Sequence, residues 1–505
     1  MVAEQRYRAR PRHDGPTPGQ VLGPAAGVVV LLLLVALLVH PGSFVVSLGS
    51  PGPAPSAAPS TAPADAPSTG PGTSAGRVPT GPSTGGRAAP PRPDPGPPPP
   101  DPRADALAAV ADLLLARDAA VVAGDAQAWT AASADPTDAV APDGSFAVLT
   151  SLPVTRFESS LVPDTLQPVE DPVTVGGDWQ ARVDTRYELG GVTAVIRTDT
   201  LVLASPTGGA GWRPVSWTPY PAPGELGTAA PWDLGAVRST LGERGVVLSW
   251  ADPEMAVDGV PPQREQDAQA WGASVSTWVD RGAVVVDSYL GTGWPRSTLV
   301  LAPATSGQYD ALVPGPAPDR PDVFAAVTTD VHTPDGEGDL VVLNPTARPD
   351  LVEETWQVTL THELVHVASG ALLDDGQEVW LAEGLADLVG WSSVVPATAS
   401  REEVAARLLE RVRNGTADVQ ALPDPEDFTA AERDVVGDAY EGAWLAALLL
   451  QDELGEDGFL RLYAEASGGT GPAPERTDAA LHAATGDGRA AFQARWTAYV
   501  TSLAR

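Results

Sequence analysis

His362, Glu363 and His366 form a His-Glu-x-x-His motif within Thr359–Ser369. On a helix, positions i and i+4 share one face, so both imidazoles reach the same ion. Glu363 then sits beside that face, where it can take a proton from a water held by the metal. The chain has six histidines, and two of them are spent here. It has no cysteine, so thiolate metal sites, disulfides and cysteine nucleophiles are excluded. A metal centre must therefore use His, Asp or Glu, a donor set suited to hydrolytic zinc. The plain alternative is a helix that carries two histidines and a glutamate without an ion.

Catalytic zinc takes three protein ligands and keeps a further position open. The metzincin pattern requires a glycine and a third histidine where this chain has Ser369 and Leu372, so that pattern is absent. Glu383 lies 17 positions past His366, which leaves room for a turn at Asp374-Asp375-Gly376 and a second, antiparallel helix. It stands among Trp380, Leu381, Leu385 and Leu388, where a carboxylate is costly unless paired or metal-bound. Asp387 falls one helical turn later on the same face. Zinc-bound histidines donate their other N–H to a carboxylate or carbonyl, which makes Asp387 the candidate partner of His362 or His366. A solvated helix aspartate is the alternative.

The run His362-Glu363-Leu364-Val365-His366, followed by Trp380-Leu381-Ala382-Glu383-Gly384-Leu385-Ala386-Asp387, resembles the gluzincin metallopeptidases. It is most similar to the peptidase MA-like bacterial proteins related to the aminopeptidase N and thermolysin groups. The resemblance covers 232–505, and its specific part is 353–454. It implies zinc bound by His362, His366 and Glu383, with Glu363 as general base. It also implies an oxyanion-stabilising tyrosine, for which Tyr440, 57 positions past Glu383, holds the matching place. The alternative for Tyr440 is an aromatic packed at the start of a helix over Ala443–Leu450. His482 is a second candidate for that role, in an Ala-rich setting typical of a surface histidine. The aminopeptidases of this group carry a Gly-x-Met-Glu-Asn segment that holds the substrate amino terminus. Here the methionines are Met1 and Met255, and no such segment precedes His362, so an endopeptidase is expected. A peptide or protein substrate is expected to add a strand beside Phe324–Thr328 or Leu340–Asn344.

The elements that must position these residues follow a composition gradient. Residues 1–20 carry Arg6, Arg8, Arg10 and Arg12 and read as a basic cytoplasmic tail. The apolar run Val21–Val39 spans roughly 28 Å as a helix, near the thickness of a bilayer core. Its length favours an uncleaved membrane anchor over 21–40 rather than a cleaved signal peptide, and either reading puts the remainder outside the cytoplasm. Residues 41–103 are rich in Pro, Gly, Ser, Ala and Thr, cannot bury a core, and act as a disordered linker.

From Ala104 a helical pattern runs to Gly124-Asp125, followed by strand-like stretches at Val154–Val162, Trp179–Leu189, Val192–Ala204 and Trp212–Trp217. That order over 104–220 resembles the cone of nuclear-transport-factor-2-like domains, with packing rather than chemistry as the expected role. Pro221–Pro231 reads as a short second linker. Strands are expected at Gly245–Trp250, Ala283–Asp287, Thr298–Ala302, Phe324–Thr328 and Leu340–Leu343, with a helix near Arg264–Val279. After Asp350 the pattern is helical almost to Arg505. The whole is an α+β chain with a peptidase domain over 232–505 and a helical C-terminal lobe.

The net charge of −34 argues against nucleic-acid binding, which needs basic surface. The expectation is a membrane-anchored, extracytoplasmic zinc metallopeptidase. Its alternatives are a catalytically silent envelope scaffold, or a ligand sensor acting through 104–220. The sequence leaves the oligomeric state open.

Overall fold

The computed structural model describes residues 102–505, apart from 134–144, 170–177, 193–194, 205–210, 220–228, 252–260, 314–324, 330–339, 349–350, 371–376, 395–399, 431 and 469–470. The expected anchor at 21–40, the turn at 374–376 and almost all of the linker at 41–103 lie outside the described residues. Among the described residues no helix is long and apolar enough to cross a membrane. The chain is α+β.

Helix α1 (Pro102–Ala123) begins two residues before the expected boundary, because proline is tolerated in a first helical turn. Ala106, Val110, Leu114 and Val121 recur at helical spacing and are buried. Gly124 ends the helix at φ 65°, and Asp125 caps α2 (Ala126–Ala132) by accepting from the Gln127 and Ala128 N–H groups. After α3 (Ser145–Ser151) come β1 (Val154–Leu161), β2 (Gln167–Pro168), β3 (Trp179–Leu189), β4 (Val195–Ala204) and β5 (Arg213–Pro219). They pair antiparallel in the order β1-β3-β4-β5, with β2 against one end of β3. Along β3, Ala181, Val183, Thr185, Tyr187 and Leu189 alternate inward, the period-2 pattern of a sheet with one covered face.

A second sheet contains β6 (Val237–Leu241), β7 (Gly245–Trp250), β8 (Thr298–Ala302), β9 (Ala326–Thr329) and β10 (Leu340–Leu343), in the order β6-β7-β8-β10-β9. β7, β8 and β10 run parallel, and β6 and β9 close the two edges antiparallel. Helix α4 (Pro261–Leu290) makes the crossover between β7 and β8, and α5 (Ser306–Leu312) follows β8. Every residue of β7, β8 and β10 is buried, as a sheet covered on both faces requires. Val247, Val300, Val341 and Leu343 face the helical side. Val246, Leu248, Leu299, Leu301, Leu340 and Val342 face the other side, where they pack with Phe146, Leu149, Tyr187, Leu189 and Trp232 from the N-terminal part.

Ala106, Val110, Leu114, Val183, Leu201 and Leu203 form an apolar cluster of the N-terminal part alone, while a second cluster spans the boundary expected between 104–220 and 232–505. The expected linker at 221–231 ends inside it: Ala230 and Trp232 are buried, and the Trp232 ring meets Tyr187 at 4.8 Å and Phe157 at 5.9 Å. Gly190 marks how close the layers come, since a Cβ there would stand 2.7 Å from Leu241 and Val246 side-chain atoms.

The remainder is helical: α6 (Glu353–Gly370), α7 (Val379–Ser392), α8 (Arg401–Val404), α9 (Ala406–Arg413), α10 (Arg433–Leu454), α11 (Glu456–Ser467), α12 (Ala473–Thr485) and α13 (Arg489–Leu503). Helix α6 is buried almost all round, packed by α4, α7 and β9. The valine-rich stretch Ala283–Asp287 belongs to α4 and is not the strand its β-branched residues suggest. Val275, Val279, Ala283 and Val286 are buried at helical spacing, while Val284 is 59% exposed. Packing against α6 overrides strand propensity there. Between α7 and α10 the contact is backbone-close: a Cβ at Gly384 would lie 2.6 Å from the Ala443 carbonyl oxygen. That glycine sets the depth at which its neighbour Glu383 enters the core.

Candidate metal centre

Helix α6 presents His362 and His366 one turn apart, with Nε2 atoms 3.0 Å from each other. From the facing helix α7, Glu383 places Oε2 3.1 Å from His362 Nε2 and 3.3 Å from His366 Nε2. Three lone-pair atoms thus converge, and Glu383 Oε2 is buried with no hydrogen-bond partner among the described residues. Neutral imidazole nitrogens and a carboxylate oxygen at such separations repel unless a proton or cation lies among them. The three atoms lie close enough together that His362, His366 and Glu383 would hold a single ion between them. The two imidazoles and one carboxylate, with no sulfur, are a zinc-type donor set.

Asp387, one turn beyond Glu383 on α7, lies with Oδ1 2.8 Å from His362 Nδ1. Of the two partners the spacing allowed, it meets His362. Donation from Nδ1–H to Asp387 would fix the tautomer in which Nε2 is free to bind an ion.

The electrostatics of these groups are linked. Burial works against a charged His362 ring, but the Asp387 and Glu383 carboxylates outweigh it and hold the His362 pKa well above its ordinary value. Burial likewise opposes ionised Glu383, yet His366 and His362 hold its carboxyl far below the usual carboxylate range. Asp387 is pushed up, burial outweighing its hydrogen bond to His362.

Glu363 points from α6 toward the sheet edge. The Thr328 hydroxyl of β9 donates to its Oε2 at 2.7 Å and lies 3.2 Å from its main-chain carbonyl oxygen. Tyr440, on α10, stands with its ring 6.1 Å from that of His362, and Phe428 packs edge-on against it at 5.1 Å. His482 is exposed on α12 and is not part of the cluster. Of the two strands considered for docking peptide, Ala326–Thr329 is the sheet edge, whereas Leu340–Leu343 is interior, paired on both sides.

Two residues of this site escaped sequence reasoning. Thr328 fell within an expected strand, but nothing local signals its contact with a residue 35 positions away. Phe428 is one buried aromatic among many, and no pattern ties it to Tyr440. Compared with known proteins, the chain matches no family model and no curated protein.

Proposed function

We propose that this chain is a zinc-dependent metallopeptidase of the gluzincin kind, cutting within peptide chains rather than at their amino terminus. The observation that carries the reading is the convergence of His362 Nε2, His366 Nε2 and Glu383 Oε2, with Asp387 behind His362. A scaffold that merely retained a metal would have no use for Glu363 beside it.

When bound, zinc supplies Lewis-acid chemistry, bringing the pKa of a water to about 7 and polarising a carbonyl. His362, His366 and Glu383 hold it, and Asp387 keeps His362 in the ligating tautomer. Glu363 accepts a proton from the attacking water as the C–O bond forms, then delivers it to the leaving nitrogen as the C–N bond breaks. The Tyr440 hydroxyl donates to the oxyanion that develops on the carbonyl oxygen. A substrate in extended form adds to β9, the edge strand among the described residues, which brings its backbone alongside Glu363.

In this reading 104–220 is a cone-like layer, resembling nuclear-transport-factor-2-like domains, that covers the sheet. The apolar sequence at 21–40 supports a membrane anchor, which leaves the centre extracytoplasmic. The test is cleavage of a random peptide library, with products mapped by mass spectrometry. Internal cuts by the zinc-loaded chain, absent with Glu363→Gln, are expected. A library left intact by the zinc-loaded chain, or cut equally by the variant, would overturn the reading.

A further inference from the structure

Glu363 is 7% exposed, and among the described residues Thr328 is the sole hydrogen-bond donor to its carboxylate. Thr328 belongs to β9, the edge strand, in register with Val341 of β10. Side chains alternate along β9: Ala326 packs into the helical-side core and Val327 against the opposite one. Thr328 therefore faces α6, where a hydroxyl needs an acceptor, and both acceptors within reach belong to Glu363.

A threonine hydroxyl carries a single proton, and the 2.7 Å contact to Oε2 claims it. The β-branched side chain has few χ1 choices, so the donor is held by the strand itself. With Oε2 engaged, Oε1 accepts no hydrogen bond from any described residue and is the oxygen available to a water proton.

We propose that Thr328 is the positioning residue for Glu363, fixing its carboxylate through Oε2 so that Oε1 is the proton-accepting oxygen. This rests on the peptidase reading above, and it makes the strand that receives substrate also the strand that aims the base.

The experiment compares Thr328→Val, Thr328→Ser and wild type as full-length, zinc-loaded protein, by crystal structure and by kinetics on a quenched fluorogenic peptide pool. Thr328→Val is expected to lower kcat about 10- to 100-fold, with zinc content and KM near wild type. Thr328→Ser, which keeps the hydroxyl, is expected to stay within about threefold of wild type. In the crystals the Glu363 carboxylate should leave its place in Thr328→Val and keep it in Thr328→Ser. Thr328→Ala removes the same hydroxyl without an added methyl, and serves if the valine variant does not fold. A valine variant with unchanged kcat, or a serine variant as impaired as valine, would overturn the proposal. If wild type cleaves nothing, the peptidase reading falls while the crystals still decide on Thr328. A carboxylate unmoved without the hydroxyl would then refute its positioning role.

Discussion

Asp387 Oδ1 and His362 Nδ1 lie 2.8 Å apart, joining α7 to α6 on the side of the His362 ring opposite the cluster with His366 and Glu383. Replacing Asp387 by Ala leaves His362 free to turn and to change tautomer. The expected outcome is a fall in zinc affinity of about 10- to 100-fold, measured by competition with a chromophoric chelator. An unchanged affinity would mean that Asp387 is a buried ion-pair partner and nothing more.

One apolar cluster joins the N-terminal layer to the second sheet, so the two should unfold together. Trp232→Ala is expected to destabilise by about 3–5 kcal/mol and to lower the single calorimetric transition of the whole unit. Two transitions, with only the earlier one moved by the substitution, would show that the layers fold separately.

Gly384→Val places side-chain atoms against the Ala443 carbonyl oxygen, where even a Cβ would be at 2.6 Å. Helices α7 and α10 must part, at a cost of about 1–3 kcal/mol, and Glu383 moves with α7. Both a lower Tm and weaker zinc binding are expected, read by calorimetry and metal titration on one preparation. A lower Tm with zinc affinity intact would free Glu383's position from that helix contact.

Glu441, next to Tyr440, joins α10 to α9 by accepting from Arg407 Nε and the Leu408 N–H. Burial nevertheless pushes its carboxyl up to about 7, against the pull of Arg407. A folded-state pKa above the unfolded value favours the protonated fold. That stability is fully present below the unfolded carboxyl pKa and is lost as pH rises through about 7. Tm measured from pH 4.5 to 8 should therefore fall less steeply for Glu441→Gln than for wild type. Parallel profiles would contradict the assignment.

Much of the centre was legible because helical spacing is local. The i, i+4 relation of His362 and His366, and again of Glu383 and Asp387, puts each pair on one face whatever surrounds it. The strands at Gly245–Trp250, Thr298–Ala302 and Leu340–Leu343 were legible as short, mostly apolar runs. Ala283–Asp287 misled because three consecutive valines favour a strand, and only the α4–α6 contact makes them helical. The shared cluster was hidden for a related reason. Val246 and Val247 read alike in sequence, and which of them faces the N-terminal layer depends on a partner more than fifty residues away. The hydrogen bond from Thr328 to Glu363 is likewise a product of topology, since β9 becomes the edge beside α6 only when the sheet is assembled.

The most direct measurement is the metal content of the purified full-length chain, taken beside three variants by inductively coupled plasma mass spectrometry. One zinc per chain is expected for wild type and for Glu363→Gln, whose carboxylate is not a ligand. His366→Ala and Glu383→Ala, folded by circular dichroism, should retain less than about a tenth of that. Zinc absent from the wild type, or kept at full occupancy by both ligand variants, would contradict a centre built from His362, His366 and Glu383.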